Sequence, residues 1–331
     1  MHAPPFTITA KIITLVAEIS AQVERYAIRL EMADTLHLRK TNRIKTIHSS
    51  LAIEGNQLTE SQVSDIIEGR VVIAPPRDIQ EVKNAIATYD LVSSLDPFNY
   101  KDLLKAHGVM MDALVENAGK FRKGGVGVFA GNQVIHIAPP ASRVRYLITD
   151  LFEWLKTADD HLLIKSCVFH YEFEFIHPFE DGNGRMGRLW QSLILGKLHP
   201  LFLQLPVENI VYANQQEYYD AINTSTECGE CSPFIEFMLE KILETLKIHQ
   251  GNPLPQKNEK LTPRQQKILE LLSQNVALNV VTNVALNSNV LAEKLQVSRK
   301  TIEREIASLV SRGLVRRVGS NKTGHWEIAN K

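Results

Sequence analysis

The chain has 331 residues, enough for about two domains, and 44% of them are hydrophobic, so each domain can bury a core. Its 37 Lys and Arg balance 37 Asp and Glu, and net charge alone therefore singles out no class of partner. Three cysteines (Cys167, Cys228, Cys231) exclude a disulfide framework, and the start lacks a basic n-region and apolar h-region. No apolar run approaches the ~20 residues of a membrane span, so the expectation is a cytoplasmic protein with no membrane contact.

From the N-terminus, apolar residues recur at three- and four-residue spacing over 8–37, 43–54, 59–69, 78–95 and 100–117, which predicts helices. Between Gly124 and Pro140 the period changes to alternation around Gly131-Asn132, a β-hairpin signal closed by Pro139-Pro140. Helical spacing returns over 142–156, 161–176, 184–197, 215–223 and 232–249. Cys228-Gly-Glu-Cys231 has redox or zinc spacing but lacks a second ligand pair, and reads better as two cysteines near the surface at a helix start. Residues 250–260, polar and broken by Pro253 and Pro255, read as a linker. Beyond it, Thr262-Pro263 is a helix start, with helices expected at 263–273, 288–296 and 299–312, the last capped by Ser298 and stopped by Gly313. Short strands are expected at 314–318 and 325–328. Asn275-Val-Ala-Leu-Asn279 recurs at Asn283–Asn287, which suggests a local duplication forming a long loop or hairpin. The charge is not evenly spread: residues 261–331 carry 11 Lys and Arg against 5 Glu, a net of +6 on an acidic body.

The chemistry is densest at His177-Pro-Phe-Glu-Asp-Gly-Asn-Gly-Arg-Met-Gly-Arg188. Gly182, Asn183 and Gly184 form a tight turn opening a helix, whose unpaired N–H groups and positive dipole end make an anion nest. Arg185 and Arg188 share one face of that helix and can grip neighbouring phosphates. Asp181 is placed to hold Mg²⁺ between phosphate oxygens, and His177 is the nearby base that titrates near neutral pH. Together these are the parts of a phosphoryl-transfer site. A metal-dependent hydrolase built on His170, His177 and Asp181 would need a ligand pair such as HExxH, and none is present.

The segment matches the Fic family motif, His-x-Phe-x-(Asp/Glu)-Gly-Asn-Gly-Arg-x-x-Arg, at each fixed position. The resemblance extends over about residues 41–240, taking in Leu103–Arg122 with its Gly-x-(Tyr/Phe)-Arg turn, the hairpin, and Glu217-Tyr-Tyr-Asp-Ala-Ile222. It implies a mainly α fold, with a helical core and a small hairpin flap. It further implies transfer of AMP from ATP to a protein hydroxyl, with His177 as base, Phe179 buried and Asp181 on Mg²⁺. Gly182, Asn183 and Gly184 would cradle phosphate oxygens, Arg185 and Arg188 would hold the outer phosphates, and Tyr218 or Tyr219 would border the adenine. The hairpin 124–140 would pair with the backbone of a target protein, and a homo-oligomer is expected.

Ser50-Leu-Ala-Ile-Glu54-Gly55 resembles the family's inhibitory motif, (Ser/Thr)-x-x-x-Glu-(Gly/Asn). Glu54 stands at a helix C-terminus, where the dipole disfavours a carboxylate, and Gly55 caps that helix. The resemblance implies that Ser50 and Glu54 form a brake, with Glu54 reaching Arg188 in place of the γ-phosphate. Residues 1–99 would then be an N-terminal helical region with its inhibitory helix at about 43–54, 100–249 the catalytic core, and 261–331 a winged helix-turn-helix domain. In that last domain Val290–Arg304 resembles the helix-turn-helix of bacterial regulators. Arg299, Lys300 and Arg304 would face DNA, with Arg316, Arg317 and Lys322 on a wing. Two further readings are a nucleotide-sensing transcriptional regulator and a hydrolase that removes AMP; a sensor would not need His177.

Overall fold

The computed structural model describes residues 4–31, 35–130, 133–203, 207–251, 262–278, 287–311, 314–318 and 325–328. These divide into two compact units, which part at Asn252/Pro253. Both are mainly helical.

The first unit opens with α1 (Ala10–Glu31) and α2 (Thr35–Ile53). The expected helix over 8–37 therefore ends early, and the inhibitory helix begins at Thr35 rather than near residue 43. Thr41 and Asn42 look like a helix start in sequence, but neither breaks a helix that has no Gly or Pro before Gly55. Gly55 (φ 91°) ends α2: its N–H reaches the Ala52 carbonyl and that of Asn56 the Leu51 carbonyl, the paired bonds of a Schellman cap. Next come α3 (Glu60–Ile67), with a Thr59/Gln62 capping box, α4 (Pro76–Leu91), and a 3₁₀ turn at Val92–Ser94. The following helix, α5 (Tyr100–Met110), is shorter than the expected 100–117.

β1 (Gly127–Ala130) and β2 (Gln133–Ile137) form the antiparallel flap, pairing Gly127 with Ile137 and shifting register between Val128 and Phe129. After it come α6 (Ala141–Thr157), α7 (Leu162–Ile176) and α8 (Asn183–Leu198). α7 is apolar around most of its circumference, as a helix enclosed by others must be, and Phe169, Phe173, Trp190 and Ile194 are fully buried along it and α8. A 3₁₀ turn (Pro200–Leu203) precedes α9 (Val207–Ala213), which the sequence pattern did not suggest, and then α10 (Gln215–Cys228) and α11 (Ser232–Gly251). α2 packs on α9 and α1 on α11. The three cysteines are free; Cys228 ends α10 exposed, whereas Cys231 is buried before α11 rather than near the surface.

The second unit contains α12 (Pro263–Leu278), α13 (Ser288–Lys294), α14 (Arg299–Ser311) and the antiparallel pair β3 (Val315–Val318) and β4 (His325–Ile328). Thr262 and Gln265 cap α12 reciprocally, and Ile268, Leu272, Leu291, Ile302, Ile306 and Leu309 form the core. The first Asn-Val-Ala-Leu copy is helical up to Leu278, not loop or hairpin. Its second copy up to Leu286, most of the expected linker, Gly313 and Lys322 lie outside the described residues. Among the described residues, no helix is long and apolar enough to cross a membrane.

Gly119 (φ 74°) positions the turn that enters the flap. A Cβ there would lie 3.0 Å from the Leu104 carbonyl oxygen and 3.2 Å from Gly108 Cα. Gly119→Ala should cost on the order of 2–4 kcal/mol through left-handed strain plus overpacking. Gly124→Ala, with open space around it, should stay within about 0.5 kcal/mol of wild type in denaturant unfolding.

Candidate active site

α7 ends at His177, whose φ of 50° and ψ of 63° put a non-glycine residue in the left-handed region. Such a conformation is costly and persists only when its surroundings over-determine it. Here they do. The buried Arg122 guanidinium donates from Nε to the His177 carbonyl (2.7 Å), from Nη1 to Gly124 (2.8 Å), and from Nη2 to Pro139 and Ile176. Its backbone N–H donates to the Pro178 carbonyl at 2.9 Å. One side chain thus ties both feet of the flap to the turn that carries His177. Burial among carbonyls lowers the Arg122 pKa.

The rest of the loop is held from inside. Asn183 accepts from Phe179 N–H and donates to its carbonyl, both at 2.9 Å, closing the turn on itself. Phe179 is buried and stacks on His107, with centroids 3.6 Å apart. Nδ1 of His107 accepts from Gly119 N–H (2.9 Å), so its Nε2–H donates to the Asp181 carbonyl (3.0 Å). Burial pushes the His107 pKa down to about 4, so the ring is neutral at pH 7.

α8 begins at Asn183 after Gly182 (φ 84°), and its first intrahelical bond runs from Met186 N–H to Gly182 carbonyl (3.0 Å). Of the N–H groups before it, that of Gly182 donates to Asp181 Oδ1 at 2.6 Å, and the helix start at Asn183 and Gly184 is where the expected nest lies. The Glu54 carboxylate lies over that nest: a Cβ on Gly184 would sit 2.7 Å from Glu54 Oε1 and 3.0 Å from Arg188 Nη1. Arg188, 2% exposed, donates from Nη2 to Glu54 Oε1 at 2.8 Å and to the Ser50 carbonyl at 3.0 Å. Burial opposes the Arg188 charge, but the Glu54 carboxylate outweighs it and the pKa is raised. Ser50 thus serves Arg188 through its backbone, not its hydroxyl.

Arg185, also 2% exposed, reaches Asp181 Oδ1 (3.3 Å) and Glu81 Oε1 (3.7 Å). Arg77, from the first turn of α4, meets Asp181 Oδ2 (3.3 Å) and the same Glu81 (3.4 Å). Asn56, just after the α2 cap, donates to Glu81 Oε2 at 2.9 Å. Nε and Nη1 of Arg185 and Nε of Arg188 are buried without a hydrogen-bond partner among the described residues. Buried donors left unused in a cationic cluster fit a ligand with several anionic oxygens. Among the described residues no three His, Cys, Asp or Glu cluster as a metal cage. A single half-exposed carboxylate, Asp181, suits Mg²⁺ that keeps its waters and is shared with substrate phosphates.

His177 Nδ1 faces the Glu174 carbonyl at 3.3 Å, and Glu174 Oε2 lies 3.9 Å away. A proton on Nδ1 pointing at an oxygen puts the lone pair on Nε2. Burial pushes the Glu174 carboxyl up to about 7. His170 belongs to the core, between Gln191 (2.7 Å) and the Tyr218 hydroxyl (3.0 Å), and burial lowers its pKa to about 4. Tyr218 is therefore buried with its hydroxyl engaged, whereas Tyr219 is half-buried.

His177, Asp181, the nest and both arginines come together as their spacing suggests, and Glu54 joins them from α2. Sequence reasoning missed the roles of Arg122, His107, Arg77 and Glu81. The Gly119-Lys-Phe-Arg122 turn was visible, but its partners lie up to 55 residues away. In the second unit Arg299, Lys300, Arg304, Arg316 and Arg317 are exposed. Arg299 pairs with Glu303 (2.7 Å) and lines a 420 Å³ cavity with Arg317, which covers the Trp326 ring.

A Fic/DOC family model matches residues 97–195. The chain is 28% identical over 244 residues to protein adenylyltransferase fic-1 of Caenorhabditis elegans, covering 68% of this chain and 46% of that protein. It is 27% identical over 207 residues to protein adenylyltransferase Fic of Nematostella vectensis, covering 58% and 45%. It thus spans about half the length of the curated relatives it matches. Among solved structures, a Fic family protein from Desulfovibrio desulfuricans G20 shares 38% identity over 100% of this chain and 99% of its own, with a TM-score of 0.74. Residues 134–508 of Fic-1 from C. elegans share the fold, at 21% identity and a TM-score of 0.55, covering 73% and 71%.

Arg122→Ala would leave four carbonyls around the flap feet without their donor. Hydrogen exchange should accelerate over 119–126 and 176–183 and stay unchanged in α11. Arg122→Lys, a point charge that cannot span four acceptors, should rescue little. Equal exchange in all three proteins would remove Arg122 from this role.

Proposed function

The chain belongs to the Fic family, and from that premise we propose that it is a protein adenylyltransferase held off by its own Glu54. The observation that carries the reading is the Glu54 carboxylate on Arg188, 2.8 Å away, above a nest built to receive phosphate oxygens.

Transfer needs a base, an aligned triphosphate and charge neutralisation. His177 Nε2 takes the proton of a Ser, Thr or Tyr hydroxyl on the target. The hydroxyl oxygen bonds to the α-phosphorus, the bond to the bridging oxygen breaks, and pyrophosphate leaves. The N–H groups of the α8 start hold phosphate oxygens, with Arg185 and Arg188 on the outer phosphates. Asp181 would hold Mg²⁺, which when bound neutralises charge on the phosphates. Arg77 and Arg185 now face the Asp181 oxygens, so the metal is expected to arrive with nucleotide rather than alone. The flap, fixed at its feet by Arg122, offers a strand edge to the target backbone. Free cysteines fit a reducing, cytoplasmic setting.

With Glu54 on Arg188 the γ-phosphate lacks its partner and the α-phosphate is misaligned for attack. A displacement of about 1 Å can cost ~10²-fold. Glu54→Gly should therefore raise self-labelling from α-labelled ATP by about that factor, with a smaller change in ATP affinity. His177→Ala in the same background should remove ~10²–10⁴ of the rate while ATP still binds. Equal labelling by folded wild type and Glu54→Gly would sink the brake. Rate and ATP affinity lost together in His177→Ala would make the histidine structural.

We also read the second unit as a winged helix domain that contacts DNA. Lys300 and Arg304 lie one turn apart on α14 and are exposed, and Arg316 adds charge on β3. Retention of the full chain on duplex DNA should fall steeply with salt, with a slope set by about four to six phosphate contacts. Lys300→Ala/Arg304→Ala should weaken it; no retention on any duplex at low salt would make the unit a protein-binding module.

A further inference from the structure

A second cavity lies away from the proposed nucleotide-binding cluster. It has a volume of 580 Å³ between α6 and α7, with Pro139 at the foot of the flap and Ile176 just before His177. Its far wall is the N-terminal segment. Pro5 is pinned there through its carbonyl to Cys231 N–H (2.9 Å), and Thr7 N–H donates to Ser232 Oγ (2.8 Å). These bonds hold residues 5–7 against the start of α11.

Two aromatic residues on this lining keep solvent-exposed surface, Tyr146 at 60% and Phe175 at 37%. Between them Glu172 reaches into the cavity. It meets no hydrogen-bond donor and no cation among the described residues, and burial pushes its carboxyl up to about 7. Asp150, Glu230 and Arg143 also line it, and Glu230 accepts from the Thr7 hydroxyl at 2.8 Å. A partly desolvated carboxylate gains most from a cation brought to it, and open aromatic rings suit the aliphatic stem and the charge of that same side chain.

We propose that this cavity is a specificity subsite that takes a lysine or arginine side chain of the target protein, a few residues along the chain from the hydroxyl that is modified. The inference rests on the adenylyltransferase reading for its occupant. Arg122 donates to both the Pro139 and Ile176 carbonyls, so the cavity edge, the flap foot and the His177 turn are one rigid piece. A target strand laid on the flap advances about 3.3 Å per residue, which carries flanking side chains across this edge. The ammonium or guanidinium pairs with Glu172 while its stem lies against Tyr146 and Phe175.

The test uses the full chain carrying Glu54→Gly, with fluorescein-labelled peptides that have one threonine and either Lys, Leu or Glu at each of the five positions on both sides. Fluorescence anisotropy should show Lys peptides binding about tenfold tighter than Leu peptides at one or two positions, the worth of one charge-assisted hydrogen bond. Glu172→Gln should abolish that preference without changing Leu-peptide binding or ATP affinity, and Tyr146→Ala should reduce it. Both residues reach the cavity without holding up the core, so the variants fold. Equal Lys and Leu binding in the parent, or a preference that survives Glu172→Gln, overturns the subsite. A change in sedimentation with Tyr146→Glu and no peptide effect assigns the cavity to contact between copies and overturns it too. Absence of any AMP transfer to peptide or self, with the Lys preference intact, strikes the adenylyltransferase reading instead.

Discussion

A guanidinium 2% exposed cannot go without an anion, and Arg188 is in that position at the start of the helix on which the first unit is built. The structure answers with Glu54 and the Ser50 carbonyl, both from α2. α2 must therefore end where it does, with its C-cap over the N-terminus of α8. A carboxylate that the dipole of its own helix disfavours gains from the positive end of another and from a buried cation. The same two features, nest and guanidinium, suit the phosphates of a nucleotide. Glu54 and an outer phosphate therefore compete for one partner, and the proposed brake is that competition.

The competition extends beyond one ion pair. Asn56, two residues after Glu54, holds Glu81, which in turn faces Arg77 and Arg185, the two cations beside Asp181. Withdrawal of α2 would loosen Glu81 and with it the charges around the carboxylate proposed to hold Mg²⁺. The His177 end meets this network through Glu174, which lies beside His177 and feels the charges of Arg188 and Glu54. His177 is set by Arg122 and by the packing of Phe179 on His107.

The second unit shows how local chemistry can suffice for a small domain. Thr262, Asn287 and Ser298 each cap a helix, and the short strands pair with Trp326 packed against the core. Its basic residues are not one continuous face. Arg299 is engaged with Glu303 beside the β-hairpin cavity, while Lys300 and Arg304 lie about 100–140° further round α14.

Much of this was legible in the chain. The fixed spacing of His177, Asp181, Gly182, Gly184, Arg185 and Arg188 lies within one turn and one helix start, where backbone geometry alone decides what comes together. Glu54 was legible through its motif, and the flap through its alternation and its glycines. Other features were not. α2 runs back to Thr35 because nothing in its sequence stops a helix, and α9 is too short to show a period. His107, Arg77 and Glu81 looked like ordinary surface or helix residues, and Arg122 stood out only as part of its turn. Their roles depend on carbonyls and carboxylates brought near from elements dozens of residues away. The sequence by itself determined the local chemistry, the turn, the nest and the order of charges along α8. The motif pointed to Glu54 as the anion facing Arg188; only the tertiary structure decided that this cation is buried and shares the Ser50 carbonyl, because burial depends on how α2 packs against α8 and not on spacing along the chain.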